Sequence, residues 1–350
     1  MLKRLIGGFV PSYKDKQGLE VTDSVSTLEK LNLGGVDQWI TIRGKNRDLP
    51  LLIFLHGGPG SPQTGAQMKY NSLLEEHFLV VNWDQRGSGK SYSPNIKPES
   101  MNINQLLNDA HELVVYLLSR FERKKLFLMG HSVGAAYGLL FTQKYPELIY
   151  AYVGINQPIH RQEEEKRSYR FALEAAHRNK NTKAIKELEE IGYPTNGVYR
   201  KIEDMVVQRK WLTKFKGVTY KKSGALINLS YMLSSHLTFK EKTTFMKGFG
   251  FSSTNLWDEV TSLDFFKLVP EVKVPVFLIA GSYDRIVFPE LVEDYYEYVN
   301  ANYKKLILFE ESGHMACFEE PEKFNNLLIL EVLPLMDLQT ERRLKTANDQ

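Results

Sequence analysis

Gly130-His131-Ser132-Val133-Gly134 stands between an apolar run, Leu126-Phe127-Leu128-Met129, and a helical stretch from Ala135 to Lys144 that stops before Pro146. A glycine-serine-glycine pentapeptide in that setting demands a sharp turn from buried strand into helix. The turn is so tight that side chains two residues before and two residues after the serine would collide, so both places must be glycine. Such a turn lifts the serine hydroxyl out of the sheet. The helix N-terminus behind it favours developing negative charge.

The rest of the chain reads as the sheet that this turn requires. Leu51-Leu52-Ile53-Phe54-Leu55, Phe78-Leu79-Val80-Val81 and Tyr152-Val153-Gly154-Ile155 are short continuous apolar runs. Runs of this kind, buried on both faces, suit central parallel strands. Val36, Trp39, Ile40 and Ile42 mark an earlier strand, antiparallel and near the sheet edge. Leu106, Leu107, Ala110, Leu113, Val114, Leu117 and Leu118 recur at helix spacing and form one apolar stripe. From about Gln162 to Trp257 the texture changes to Glu, Lys and Arg with few strand-like runs. Val274 to Ala280 and Leu306 to Phe309 then bring the strands back, and a helix from about Glu322 to Leu335 closes the core. The expected fold class is α/β: a mostly parallel central sheet flanked by helices, with an inserted helical cap domain. The expected division is a core in two parts, residues 1–158 and 259–350, with the cap at 159–258.

Two further constellations fall beyond strand ends, where open α/β sheets place their ligands. Asp284 follows the strand ending at Ala280-Gly281, and His314 follows the one ending at Phe309. A serine hydroxyl is a weak nucleophile without a base, and an imidazole base needs an anion to fix its tautomer. Ser132, Asp284 and His314 supply all three parts, in the chain order that a strand-turn-helix serine predicts. The rival place for the acid, after Ile155, holds Asn156, and an amide cannot supply the anion. His56-Gly57-Gly58-Pro59-Gly60 follows the Leu51–Leu55 strand. An oxyanion hole needs backbone N–H donors that approach the substrate closely. Pro59 has none, so Gly58 and Val133 are the expected donors. Asp84-Gln85-Arg86-Gly87-Ser88-Gly89-Lys90-Ser91 ends like a phosphate loop but lacks the earlier glycine that such a loop needs. It reads instead as a structural support, with Asp84 and Arg86 paired beneath the site.

His56–Gly60, Asp84–Ser91, the turn at Ser132, Asp284 and His314 together resemble the prolyl aminopeptidase (proline iminopeptidase) family of α/β-hydrolases. The resemblance spans the core on both sides of the insertion. It implies a Ser132–His314–Asp284 triad working through an acyl-enzyme, a helical cap, no metal and no organic cofactor. It also implies cleavage of an N-terminal residue, typically proline, from short peptides, with acids of the cap holding the free amine. Glu163, Glu164 and Glu165 open the insertion, and at least one of them is expected to face the space above Ser132. The aromatics Tyr169, Phe171, Trp211, Tyr231 and Trp257 belong to the same region, as pocket lining or cap core. One departure matters. The family usually has Gly and Trp flanking the nucleophile, and here those places hold His131 and Val133. Proline specificity therefore does not transfer with the fold and the triad. Esterase or lactonase action on small apolar esters stays open, as does a ligand-binding protein on the same scaffold.

Composition narrows the partners. Acids and bases are interspersed and the formal net charge is +3, which gives no basic stripe for nucleic acid. Cys317 is the single cysteine, so no intramolecular disulfide can form, and it reads as a buried small hydrophobe near His314. The apolar piece Leu5–Val10 is too short to span a bilayer and is expected to pack on the body as an arm. The reading is a cytoplasmic chain acting on a small-molecule or short-peptide substrate.

Overall fold

The computed structural model describes residues 8–337. Leu5, Ile6 and Gly7 of the expected N-terminal arm lie outside the described residues. One sheet of eight strands runs through the molecule in the order β1-β2-β4-β3-β5-β6-β8-β10. Their ranges are β1 (Val25–Leu33), β2 (Val36–Gly44), β3 (Leu51–Leu55), β4 (Leu79–Asp84), β5 (Leu126–His131), β6 (Ile149–Ile155), β8 (Val276–Gly281) and β10 (Lys304–Phe309). β2 pairs antiparallel with β1 and β4, and the remaining pairs are parallel. A separate two-stranded ribbon joins β7 (Glu271–Val272) to β9 (Asn300–Ala301).

The apolar runs form the middle of the sheet because both of their faces are covered. In β3 all five side chains are buried. Leu51, Ile53 and Leu55 enter one core cluster, and Leu52 and Phe54 enter a second on the opposite face. The first cluster is roofed by α2 (Ile103–Arg120), α3 (Val133–Lys144) and α10 (Pro289–Tyr298). The second is roofed by α1 (Thr64–Tyr70), α11 (Ala316–Glu319) and α12 (Pro321–Leu327). The expected closing helix is therefore broken, because α12 ends at Leu327 and Leu328–Val332 winds as a single wider π turn.

Between β6 and β7 the chain runs through α4 (Arg161–Arg178), α5 (Thr182–Ile191), α6 (Ile202–Lys214), α7 (Gly224–Met232), α8 (Phe239–Thr261) and the short α9 (Phe265–Leu268). Tyr169, Ala172, Leu188, Met205, Trp211 and Trp257 form a third apolar cluster of this region's own. α8 starts at a reciprocal cap, in which the Thr238 hydroxyl accepts from Glu241 N–H and the Glu241 carboxylate accepts from Thr238 N–H.

The loop after β4 differs from expectation. Arg86 does not pair with Asp84. Its Nε and Nη2 donate to Asp109 on α2 at 2.7 and 3.0 Å, and both side chains are fully buried. Asp84 instead accepts the Lys90 backbone N–H at 2.9 Å. A guanidinium out of water needs a carboxylate in fork geometry, and α2 presents one across the first core. β4 ends at Asp84, so Arg86 sits in the turn that follows, from which its side chain reaches α2 and not back to Asp84.

Among the described residues no helix is long and apolar enough to cross a membrane.

Candidate active site

β5 ends at His131 and α3 begins at Val133, so Ser132 alone makes the turn. Its backbone sits at φ 54° and ψ −126°, which an L-residue with a Cβ rarely adopts. The flanking glycines are there for space. A Cβ on Gly130 would lie 2.4 Å from the Gly134 carbonyl oxygen, and one on Gly134 would lie 2.2 Å from that of Leu55. The Ser132 N–H donates to Ile155 O at 2.9 Å, which ties the turn to β6.

Asp284 lies three residues beyond the end of β8 and is fully buried. Four donors satisfy its carboxylate. Oδ1 accepts the backbone N–H of Ile286 at 2.8 Å and of Val287 at 3.0 Å. Oδ2 accepts His314 Nδ1 at 2.7 Å and Asn156 Nδ2 at 2.8 Å. Asn156, in the rival place for the acid, thus acts as a donor to the acid. With Nδ1–H committed to Asp284, the lone pair of His314 Nε2 faces Ser132 Oγ at 2.8 Å. That tautomer can take the hydroxyl proton.

His131 holds the base from the other side. Its Nε2–H donates to the His314 carbonyl at 2.6 Å, and its Nδ1 accepts from Gln63 at 3.0 Å. Burial, and then the neighbouring His314, push its pKa down to about 3, so this ring stays neutral. The sequence reading saw His131 only as a departure from a family pattern.

Above the serine lies a pocket of about 200 Å³. Gly58 and Val133 both line it. Val133 is the first residue of α3, so its N–H has no acceptor within the helix. The region between β6 and β7 supplies Arg161, Met205, Arg209 and Trp257 to the lining. Of the other aromatics, Tyr169 and Trp211 pack in the third cluster and Phe171 lies under Arg285.

The acids at the start of α4 are placed differently from expectation. Glu163 pairs with Arg167 at the surface. Glu164 is fully buried, accepting from Ile159 N–H and Arg161. Glu165 is fully buried between Arg161 and Arg209. Arg161 and Arg209, not the glutamates, therefore reach the lining over Ser132, while Glu164 and Glu165 stand behind them as counter-charges. The cause is burial. A carboxylate withdrawn from water takes a cation, and the arginines with the longer reach extend to the pocket. No sequence pattern signalled Arg209, which lies 44 residues from Glu165.

Cys317 is buried, and burial holds its thiol well above the usual range, in the inert protonated form. Among the described residues no group of three or more His, Cys, Asp and Glu side chains is arranged to hold a metal ion.

Comparison with known proteins gives concordant matches. The α/β hydrolase fold family matches residues 50–321. A Bacillus subtilis (strain 168) protein named "Probable aminopeptidase YbaC" is 36% identical over 308 residues, covering 87% of this chain and 96% of that protein. A proline iminopeptidase of Saccharolobus solfataricus is 24% identical, covering 81% of this chain and 84% of its own length. The crystal structure of a Mycobacterium smegmatis proline iminopeptidase superposes with a TM-score of 0.65 at 15% identity, covering 90% of this chain and all of that one.

Proposed function

The chain belongs to the α/β-hydrolase family, in its prolyl aminopeptidase-like branch, and from that premise we propose that it is a serine hydrolase with Ser132, His314 and Asp284 as its catalytic triad. One observation carries this reading: the unbroken relay of 2.8 Å from Ser132 Oγ to His314 Nε2 and 2.7 Å from His314 Nδ1 to Asp284 Oδ2. Ser132 Oγ bonds to the substrate carbonyl carbon while its proton passes to His314. The N–H groups of Gly58 and Val133 hold the oxyanion. The bond to the leaving group then breaks, the leaving amine or alcohol keeps the electron pair, and His314 returns the proton to it. Water, deprotonated by His314, cleaves the acyl-enzyme and frees Ser132. Asp284 holds the imidazole tautomer throughout. In this reading residues 159–258 form the cap over this site, between the two parts of the core.

The substrate in this reading is a small peptide, cleaved at its N-terminal residue by an aminopeptidase of prolyl aminopeptidase type. The kinship with the Bacillus protein and with proline iminopeptidases supports it. A cytoplasmic site of action belongs to the same reading, supported by a core that needs no disulfide. A second reading, an esterase or lactonase, draws support from one feature. A free α-amine is cationic below about pH 7.7, and of the glutamates expected to receive it Glu164 and Glu165 are engaged by Arg161 and Arg209 and Glu163 by Arg167.

A panel of proline arylamide, other aminoacyl arylamides and nitrophenyl esters decides between the two, run beside labelling by a fluorophosphonate. Aminopeptidase action predicts faster turnover of arylamides with a free amine than of their N-acylated forms. Ester turnover alone would move the esterase reading ahead. Labelling that persists in a folded Ser132→Ala variant would overturn the nucleophile.

A further inference from the structure

Next to the pocket over Ser132 lies a second cavity of about 400 Å³, twice the size of the first. Ser61, Gln63 and Phe249 line both, so the two spaces adjoin across these side chains. Beyond them the walls are apolar, with Ala66 from α1, Ile227 from α7 and Phe245 from α8, and Lys242 is the one charged residue of the lining. An engineered cavity of about 150 Å³ accepts benzene. The chamber is therefore far larger than a pyrrolidine ring requires, and it falls within the size range of ligand sites.

The leaving group must lie within reach of His314, which protonates it. His314 and Met315 line the small pocket but not the chamber. A substituent entering the chamber crosses Ser61, Gln63 and Phe249 and passes out of reach of His314, which suits the acyl group, to which no proton has to be delivered. We propose that this chamber is the acyl subsite, and that the substrates carry an extended apolar acyl group, an aliphatic chain or a large apolar aminoacyl residue, in preference to proline. This rests on the reading of Ser132 as the nucleophile.

The test is a series of p-nitrophenyl esters from acetate through butyrate and hexanoate to octanoate, below their critical micelle concentrations, with wild type and with Met232→Trp. Met232 lines the chamber and is only partly buried, so an indole there fills the space without entering the main core. Burial of each methylene predicts a rise in kcat/KM of about fourfold until the chamber is full. Met232→Trp should cut octanoate turnover at least tenfold while leaving acetate turnover within twofold. Phe245→Ala, which widens the chamber, should shift the preference to longer chains. A flat series in wild type, or a rise that Met232→Trp leaves intact, overturns the chamber while fluorophosphonate labelling keeps Ser132 standing. Absence of labelling in wild type would overturn the underlying reading of Ser132 instead.

Discussion

The backbone N–H of His314 donates to the carbonyl of Val218 at 2.7 Å, and Val218 belongs to the helical insertion rather than to the sheet. The preceding residue does the same for the acid's loop, since Gly217 O accepts the N–H of Arg285 at 2.9 Å. One short segment between α6 and α7 thus grips the loops that carry both His314 and Asp284. Movement of the insertion and alignment of the relay are mechanically linked.

Gly313 is where this link is tested. A Cβ at Gly313 would stand 2.6 Å from Val218 O and 3.0 Å from Thr219 Cα, both backbone atoms that cannot step aside cheaply. Gly313→Ala should push the segment off His314 while the sheet stays folded. Misplacement of a reacting group by about an ångström costs roughly a hundredfold in rate. A fall of that order in kcat is expected, with a parallel slowing of fluorophosphonate labelling. Unchanged kcat in a folded variant would show that the grip is incidental.

Asp284→Asn changes one atom pair and reverses a tautomer. The Asn Oδ1 can still accept from Ile286 and Val287, which leaves Nδ2 facing His314 Nδ1 and the Asn156 amide. His314 must then present a bare Nδ1 and carry its proton on Nε2, where it cannot accept one from Ser132. The expected loss in kcat on an activated ester is on the order of 10⁴. Activity close to wild type would place the acid elsewhere.

The turn at Ser132 stores strain that its chemistry does not need. Positive φ with a Cβ costs about 1–3 kcal/mol, and glycine escapes that cost at a loss of about 0.5–1 kcal/mol in chain entropy. Ser132→Gly and Ser132→Ala both lack the nucleophile and should be equally dead toward phosphonates. Ser132→Gly should nevertheless be the more stable, by about 1 kcal/mol in urea unfolding. Equal stability of the two would mean that the surrounding structure bears no strain at this turn.

How far the sequence could be read follows from which interactions are local. β3 was legible to the residue because five apolar side chains in a row have only the centre of a sheet to occupy. The relay was legible because each member follows a strand end. β1 was not, because Val25-Ser26-Thr27-Leu28-Glu29-Lys30-Leu31-Asn32-Leu33 mixes charge into a half-exposed edge strand. The partner of Arg86 is not legible because Asp109 is distant in sequence and reaches it only once α2 packs on the sheet. The positions of Arg161 and Arg209 over Ser132 depend likewise on how α4 and α6 pack together, which periodicity does not report.

Buried histidines set the response of the fold to acid. Burial pushes His56 down to about 4 and both His131 and His236 down to about 3, from an ordinary value of 6.5. A depressed pKa contributes stability that is fully present above 6.5 and is lost as pH falls toward the folded value. Burial also raises Asp84 to about 7, partly offset by Lys90, and this acts in the opposite sense: its contribution is present below 3.8 and lost as pH rises through 7. Between about pH 4.5 and 6 the unfolded chain therefore holds three of these protons and the folded chain one. Two excess protons correspond to about 3 kcal/mol lost per pH unit on acidification, moderated by the buried Glu164 and Glu319, whose pKa values are also raised. His236 isolates one proton of this balance, because it lies outside the site, bonded at Nδ1 to Ser234 and facing Lys90 and Lys242. His236→Gln should flatten the decline by the share of one proton, roughly 1 kcal/mol per unit, measured by urea unfolding at pH 8, 6.5 and 5. Asp84→Asn, which removes the proton held by the folded chain, should steepen it. Variants that shift stability equally at all three pH values would show that neither group changes its protonation on unfolding.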